Sequence, residues 1–412
     1  MTASLDRAAC EALDAADPLA PLRERFLLPE RVIYLDGNSL GALPRTTAAR
    51  VARTVETEWG RDLITSWNKA GWIGLPRAVG AKIARLIGAE ADEVVVCDST
   101  SVDLYKLAAA ALSLNAPRRV ILAEAGDFPT DLYILQGLAG SVGAELRMVA
   151  PEAIEGALDQ TVAVLVLTET NYRSGEIHDM AGLTAKAHAV GALTVWDLSH
   201  SAGVLPVDLN GAEADFAVGC GYKYLNGGPG APAYVFVARR WHERFRQPLS
   251  GWLGHARPFS FVDDYTPAPG IDRAQCGTPP VLSLVALDEG LNSFEGVEPK
   301  ALYEKAGRLG DLFIALVEQR LSGHGFEIAS PRDPARRGGQ VALRHPEAYA
   351  ICQALIDRGV IPDFRAPDVV RFGLVPMYVR FADLWDAVEV LLQVMQSGAW
   401  KDARFAVRAA VT

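Results

Sequence analysis

Seven short apolar runs, separated by helix-like stretches, dominate the middle of this chain: Val94–Cys97 (VVVC), Val120–Glu124 (VILAE), Glu145–Val149 (ELRMV), Val162–Glu169 (VAVLVLTE), Leu193–Asp197 (LTVWD), Asp215–Gly219 (DFAVG) and Ala233–Val237 (AYVFV). Most lack the apolar–polar alternation of a strand with one wet face. Such runs suit strands covered on both faces, which requires a mostly parallel sheet with helices on either side. The expected fold is therefore α/β, with a mostly parallel seven-stranded sheet sandwiched by helices. The intervening stretches carry ordinary helix stops; MAGLTAKAHAV, for example, ends at Gly191, where glycine can take a left-handed cap.

After about Pro280 the pattern changes. Leu302, Leu309, Leu312, Phe313, Leu316, Val317 and Leu321 recur at helical spacing, which predicts a long amphipathic helix from about Lys300 to Leu321. A loop rich in Pro, Arg and Gly (SPRDPARRGGQ) follows, then a helix from about Glu347 to Arg358, a strand pair around Val360 and Val369–Leu374, and a terminal helix from Asp383. The chain has 412 residues, and at ~150 residues per domain two to three units are expected. The predicted division is a helical segment at 1–60 packing with a small α+β domain at 281–412, and a large domain at 61–280.

Charge and cysteine usage narrow the function classes. Lys and Arg number 40 against 50 Asp and Glu, a formal net charge of −10, so a nucleic-acid partner is not expected. The five cysteines, Cys10, Cys97, Cys220, Cys276 and Cys352, are odd in number and form no C-x-x-C. This argues against a disulfide framework or a thiolate metal site and suits a reducing cytosol. The acidic start MTASLDRAACEALDAADPLA shows no signal or transit peptide, and apolar stretches such as TVAVLVL fall short of the ~20 residues of a membrane span. A cytoplasmic protein with no membrane partner is expected.

Familiar nucleotide and hydrolase motifs are absent: there is no G-x-x-x-x-G-K-[ST], no G-x-G-x-x-G after a strand, no H-E-x-x-H and no nucleophile elbow. Two polar residues at the ends of consecutive runs are informative instead. Asp197 closes LTVWD, and in open α/β sheets ligands bind outside the carboxyl ends of strands. Lys223 follows the next run, as the only charge in CGYKYLNGGPG. Alone, Asp197 serves equally as a helix N-cap, and Lys223 alone reads as a solvated turn lysine. Together they match the needs of pyridoxal phosphate chemistry, a Schiff-base lysine and a carboxylate that keeps the pyridine nitrogen protonated.

Longer motifs extend this reading: YLDGNSLGALP at Tyr34–Pro44, SWNKAGWIGLP, DSTSVDLYKL at Asp98–Leu107, DFPTDLYI at Asp127–Ile134, TETNYRSGEIHDM at Thr168–Met180, WDLSHSAGVLPVDL, GYKYLNGGPG, SGWLGH at Ser250–His255 and VVRFGLVPMY at Val369–Tyr378. Through them the chain resembles the kynureninases of bacterial type, within the fold-type-I pyridoxal-phosphate enzymes. The resemblance implies a fold like that of aspartate aminotransferase and hydrolytic cleavage of L-kynurenine to anthranilate and L-alanine, with weaker action on 3-hydroxykynurenine. Tryptophan catabolism and NAD biosynthesis would be its setting.

The same resemblance implies Lys223 as the Schiff-base lysine, Asp197 as the pyridine-nitrogen partner with Asp131 nearby, and Phe128 stacked on the ring. It implies Thr100 and Ser101 as phosphate ligands, roles compatible with ordinary helix capping. Pro129, Thr130, Thr168 and His200 fall at cofactor-contacting positions. Tyr222 matches a tyrosine that touches the phosphate and relays a proton; a core aromatic is the plain alternative. Arg371 matches the arginine that grips the substrate α-carboxylate, although by itself it reads as an edge-strand residue. Trp67, Gly277 and Thr278 are similar to the aryl pocket of bacterial members, Thr278 also touching the cofactor, and Trp252 to a residue reaching the cofactor. Trp252, Gly277 and Thr278 would come from a partner subunit, which implies a homodimer with its active site at the interface.

Gly221, Gly227 and Pro362 depart from the family pattern, where Ser, Ala and Gly are common; Gly221 would loosen a hydrogen bond near Lys223. Two alternatives are a cysteine desulfurase, which needs a nucleophilic cysteine on a mobile loop whereas Cys352 falls in a predicted helix, and a catalytically silent pyridoxal-phosphate-binding protein.

Overall fold

The structure, a computed structural model, describes residues 5–408. Its main sheet contains β1 (Val94–Cys97), β2 (Val120–Glu124), β3 (Glu145–Val149), β4 (Val162–Thr168), β5 (Leu193–Asp197), β6 (Phe216–Cys220) and β7 (Ala233–Val237). The spatial order is β1-β7-β6-β5-β4-β2-β3, parallel throughout except that β7 runs antiparallel to both of its neighbours. Both faces are covered, as the continuous apolar runs require. Along β1, Val94 and Val96 join one core cluster while Val95 and Cys97 join the other. Helices Thr100–Leu114, Pro129–Val142 and Met180–Ala189 follow β1, β2 and the β4 connection. The last of them is closed near Gly191, which adopts φ +78°.

The C-terminal part holds a second, antiparallel sheet in the order Glu327–Ile328, Gln340–Arg344, Val369–Gly373 and Asp363–Arg365. The long helix runs from Pro299 to Arg320 and the terminal helix from Phe381 to Ser397. The strand pair expected around Val360 and Val369 is not formed. Val369–Gly373 pairs with Gln340–Arg344 and Asp363–Arg365, whereas Val360–Ile361 pairs in parallel with Ile33–Tyr34. Pro362 stands where the chain passes from one sheet to the other, a position that demands no ladder donor.

N-terminal residues are tied to this C-terminal part. Helix Arg7–Ala15 packs against Phe381–Ser397. Asp14 accepts from the backbone N–H groups of Phe381 (2.7 Å) and Ala382 (3.0 Å), satisfying donors that the helix itself leaves unpaired. Lys305 pairs with Asp17 at 2.7 Å. Among the described residues no helix is long and apolar enough to cross a membrane.

Candidate active site

The chain order in the main sheet reverses between β2 and β4: β2 leads outward to β3, and β4 leads the other way to β5 and β6. Loops leaving the carboxyl ends of strands diverge at such a point and open a crevice. Here the crevice is a cleft of about 220 Å³ lined by Thr100, Ser101, Phe128, Thr130, Asp131, Thr168, Thr170, Tyr172, Asp197, Ser199, His200, Tyr222 and Lys223. Asp127 bridges the reversal, accepting from the Thr168 hydroxyl (2.7 Å) and backbone N–H (3.0 Å). Burial raises its carboxyl to about 6 against those donors and the Phe128 N–H.

Lys223 lies in the loop that joins the antiparallel neighbours β6 and β7. Gly228 (φ +81°) and Gly230 (φ +74°) let this loop turn back tightly. Its amine sits 2.9 Å from His200 Nε2, 5.7 Å from the Phe128 ring centroid and 5.9 Å from that of Tyr222. Burial, followed by the charges of Lys223 and Arg371, pushes His200 well below the usual histidine range, so the neutral ring accepts from the ammonium. A second segment buttresses the lysine loop: the Gly41 N–H donates to the Tyr222 carbonyl at 2.8 Å, and a Cβ at Gly41 would overlap the Lys223 carbonyl oxygen. This close approach accounts for the second glycine of YLDGNSLG, Gly41.

Opposite the lysine, Asp131 and Asp197 share a hydrogen bond. Burial and the neighbouring Asp197 and Asp127 hold the Asp131 carboxyl well above the carboxylate range, so Asp131 carries the proton and donates. Asp197 also accepts from the Ser199 N–H at 2.7 Å. It therefore caps the following turn as well as facing the cleft, and the two sequence readings coexist. Burial, Cys220 and Asp197 likewise raise the Tyr222 phenol, which stays protonated.

At the far end, Thr100 and Ser101 open the Thr100–Leu114 helix, whose first N–H groups have no intrahelical acceptor. Thr100 Oγ1 is buried without a partner. Unpaired donors at a helix start, with an orphan hydroxyl among them, suit a phosphate group. Phe128, 37% exposed, stands edge-on to Tyr172 with ring centroids 5.3 Å apart and leaves a face open to a flat ligand. The donor set, acid pair, lysine and aromatic wall together fit pyridoxal phosphate.

Residues 302–391 match the family model of the kynureninase C-terminal domain. A kynureninase of Burkholderia mallei (strain SAVP1) is 52% identical over 97% of this chain and 98% of its own length. One from Pseudomonas fluorescens is 51% identical over 98% of this chain and 99% of its own. The chain belongs to the kynureninase family. Among solved structures, a cysteine desulfurase from Thermococcus onnurineus NA1 superposes with a TM-score of 0.75 at 19% identity, covering 92% of this chain and 97% of that one. A C-DES variant with glycine covalently linked to its PLP cofactor gives 0.77 at 15% identity, covering 90% and 98%. These structures share the fold.

Not every residue expected from the kynureninase resemblance reaches the cleft wall within one chain. Arg371 is 1% exposed, with Nε on Asp363 at 2.8 Å, Nη2 on Asp363 and on Ser39 at 3.1 Å, and Nη1 on the Tyr172 carbonyl. It backs the Tyr172 side of the cleft. Trp67 stacks edge-on with Trp72, and Trp252, Gly277 and Thr278 are exposed; none lines the cleft. Sequence reasoning passed over Thr170, Tyr172 and Ser199, although two of them lie in TETNYRSG; a position two residues beyond a strand end was the available signal. Gly221 proves to be tightly packed, since a Cβ there would lie 2.5 Å from the Pro232 carbonyl oxygen and 2.9 Å from Leu287.

Proposed function

We infer that this chain is a pyridoxal-phosphate-dependent kynureninase, which hydrolyses the Cβ–Cγ bond of L-kynurenine to give anthranilate and L-alanine. The observation that carries the inference is near-full-length identity of about half to curated kynureninases, joined to a cleft where Lys223 faces an acid pair and a helix N-terminus. When bound, the cofactor supplies an electron sink conjugated to the substrate Cα.

The residues take the following roles in this reading. Lys223 holds the cofactor and moves the Cα proton, and neutral His200 positions its amine. Asp197, which accepts from the protonated Asp131, holds the proton at the pyridine nitrogen. Thr100 and Ser101 bind the phosphate, and Phe128 covers the ring, with Pro129 and Thr130 setting its turn and Thr168 beside it. Arg371, held by Asp363, Ser39 and the Tyr172 carbonyl behind the cleft wall, would exchange one of these partners to orient the substrate carboxylate. Tyr222, its phenol protonated, serves as a proton donor near the phosphate.

Trp252, Gly277 and Thr278 would complete a second copy's cleft, with Trp67 at the aryl end, in a homodimer. The exposed aromatics Trp252, Phe259 and Phe261 support an apolar interface there. Weaker turnover of 3-hydroxykynurenine, a place in tryptophan catabolism and NAD biosynthesis, a cytoplasmic location, and a division into units at 1–60, 61–280 and 281–412 belong to the same proposal.

The desulfurase alternative is not favoured. Cys352 is fully buried inside helix Ala348–Ile356, and burial raises its thiol well above the usual range, which suppresses the nucleophilic thiolate. Incubating purified protein with L-kynurenine and following anthranilate fluorescence tests the activity. Protein that binds the cofactor yet releases no anthranilate would be the silent relative instead. Lys223→Ala should bind cofactor without the absorbance of a covalent imine, and an unchanged spectrum would refute the lysine assignment.

A further inference from the structure

Arg371 reaches the Tyr172 side of the cleft with its donors already engaged. Its Nε (2.8 Å) and Nη2 grip Asp363, Nη2 also donates to Ser39 Oγ at 3.1 Å, and Nη1 donates to the Tyr172 carbonyl. A guanidinium carries five N–H groups in one plane, and the fork on Asp363 occupies the Nε edge. Gripping a second carboxylate with both η nitrogens therefore needs the Nη2 hydrogen now given to Ser39. Arg371 and Asp363 are each 1% exposed, and an acceptor that loses its donor in such surroundings is costly.

A second arginine stands on the same two acceptors. Arg365 lies in the strand Asp363–Arg365, which runs antiparallel to Val369–Gly373 and sets Asp363 opposite Arg371. Its Nη2 is 2.8 Å from Asp363 Oδ2 and 3.2 Å from Ser39 Oγ. Ser39 Oγ itself donates to Asp363 Oδ2 at 2.7 Å, so the two arginines share its lone pairs. Among the described residues, Asp363 is the only carboxylate in an ion pair with either guanidinium. Two cations thus face one anion, and one positive charge is left for a ligand. The Arg365 side chain is 33% exposed and also donates, through Nη1, to the Phe364 carbonyl of its own strand at 2.9 Å. It is free to adjust to the acceptors without disturbing the core.

We propose that Arg365 is a positioning residue for the substrate carboxylate: it holds Ser39 and Asp363 while Arg371 turns its outer fork from Ser39 to the ligand. The proposal rests on the reading of Arg371 as the carboxylate-binding arginine. With Arg365 in place, the exchange leaves Ser39 one cationic donor; without it, the exchange strips Ser39 of both. A ligand that lacks a carboxylate does not call for the exchange and gains nothing from Arg365.

The test uses holoenzyme of the native chain, Arg365→Gln, Arg365→Lys, Ser39→Ala and the Arg365→Gln/Ser39→Ala double variant. Absorbance titrations give dissociation constants for L-alanine, which carries the carboxylate, and for the amine left when kynurenine loses its carboxylate. Arg365→Gln should weaken L-alanine by about five- to thirtyfold, the worth of a partly solvated hydrogen bond to a charged group, and leave the amine within about twofold. KM for L-kynurenine should rise by a similar factor with kcat nearly unchanged. In the Ser39→Ala background there is no hydroxyl to hand over, so the Arg365→Gln factor should shrink to about twofold or less. Arg365→Lys keeps a cation beside Asp363 and should recover most of the loss.

An amine weakened as much as L-alanine overturns the proposal, since the variant has then damaged the cleft in general. A factor undiminished by Ser39→Ala overturns it too, because through-space charge would suffice, as does a Lys variant no better than the Gln variant. Anthranilate release tests the functional reading separately. A chain that releases none, yet shows the Ser39-dependent loss of L-alanine binding, keeps the exchange and loses only the kynureninase reading. One that cleaves kynurenine with L-alanine and the amine affected alike loses the exchange alone.

Discussion

Lys106→Met should expose how strongly one buried cation ties the phosphate end of the cleft together. Lys106 lies on the Thr100–Leu114 helix and its side chain is 0% exposed. Its ammonium donates to Asp103 Oδ1 at 2.9 Å, to the Ala274 carbonyl at 2.9 Å and to Asp98. Burial opposes this charge, but Cys97, Asp103 and Asp98 outweigh it and hold the amine protonated. The same contacts join the loop before Thr100 and Ser101 to the segment leading to Gly277 and Thr278. Removing one partner of a buried ion pair costs about 3–5 kcal/mol, because the other charge stays buried without compensation. At ~2.1 cal/mol/K per residue the unfolding entropy of this chain is roughly 0.9 kcal/mol/K, so the melting temperature should fall by about 3–6 °C.

The pH dependence follows from Asp103. Burial raises its carboxyl to about 7 even with Lys106 beside it. An acid whose folded pKa exceeds its unfolded value destabilises the fold once pH rises above the unfolded value, by ~1.4 kcal/mol per unit until the folded pKa is passed. Without Lys106 that folded pKa moves higher, so the deficit of the variant should widen between pH 6 and 8.5. Asp103→Leu combined with Lys106→Met replaces the pair with apolar groups and should recover most of the loss. Differential scanning calorimetry reads all three proteins. A Lys106→Met protein melting within about 1 °C of the native chain at pH 8.5, or a double variant no better than the single one, refutes the reasoning.

Asp131→Asn retains a donor to Asp197 and should bind pyridoxal phosphate nearly as well as the native chain. Asp131→Ala removes a hydrogen bond to a charged group and should weaken binding by roughly 10- to 150-fold, read by absorbance titration; equal affinities for the two variants contradict the proton assignment. Gly221→Ser, which restores the commoner family residue, should destabilise the chain by about 1–3 kcal/mol through overpacking against Pro232 and Leu287, and a melting temperature equal to or above the native value counts against it.

Local pattern was enough to specify the seven strands, the long C-terminal helix and the placement of Asp197 and Lys223 at or just beyond the ends of consecutive strands. Each of these depends on a period or on a residue's place at the end of a run, and a single chain of letters carries both. The strand bounds were legible to within a residue, since complete burial on both faces leaves an uninterrupted apolar run. Partnership between distant segments was not legible. Val360–Ile361 pairs with Ile33–Tyr34 across more than 300 residues, and two-residue strands carry no periodic signal. Asp363 fixes Arg371, Asp127 bridges β2 and β4, and Ser201 meets Thr170 only because the sheet order brings their loops to one crevice. Lys106 and Asp103 read locally as an ordinary helical pair three residues apart; tertiary burial turns them into a buried ion pair beneath the cleft. Sequence by itself thus determined the elements and the chemistry available, because propensity and burial pattern act locally. Packing alone decided protonation states and partners, because burial and the distance between charges are properties of the assembled fold.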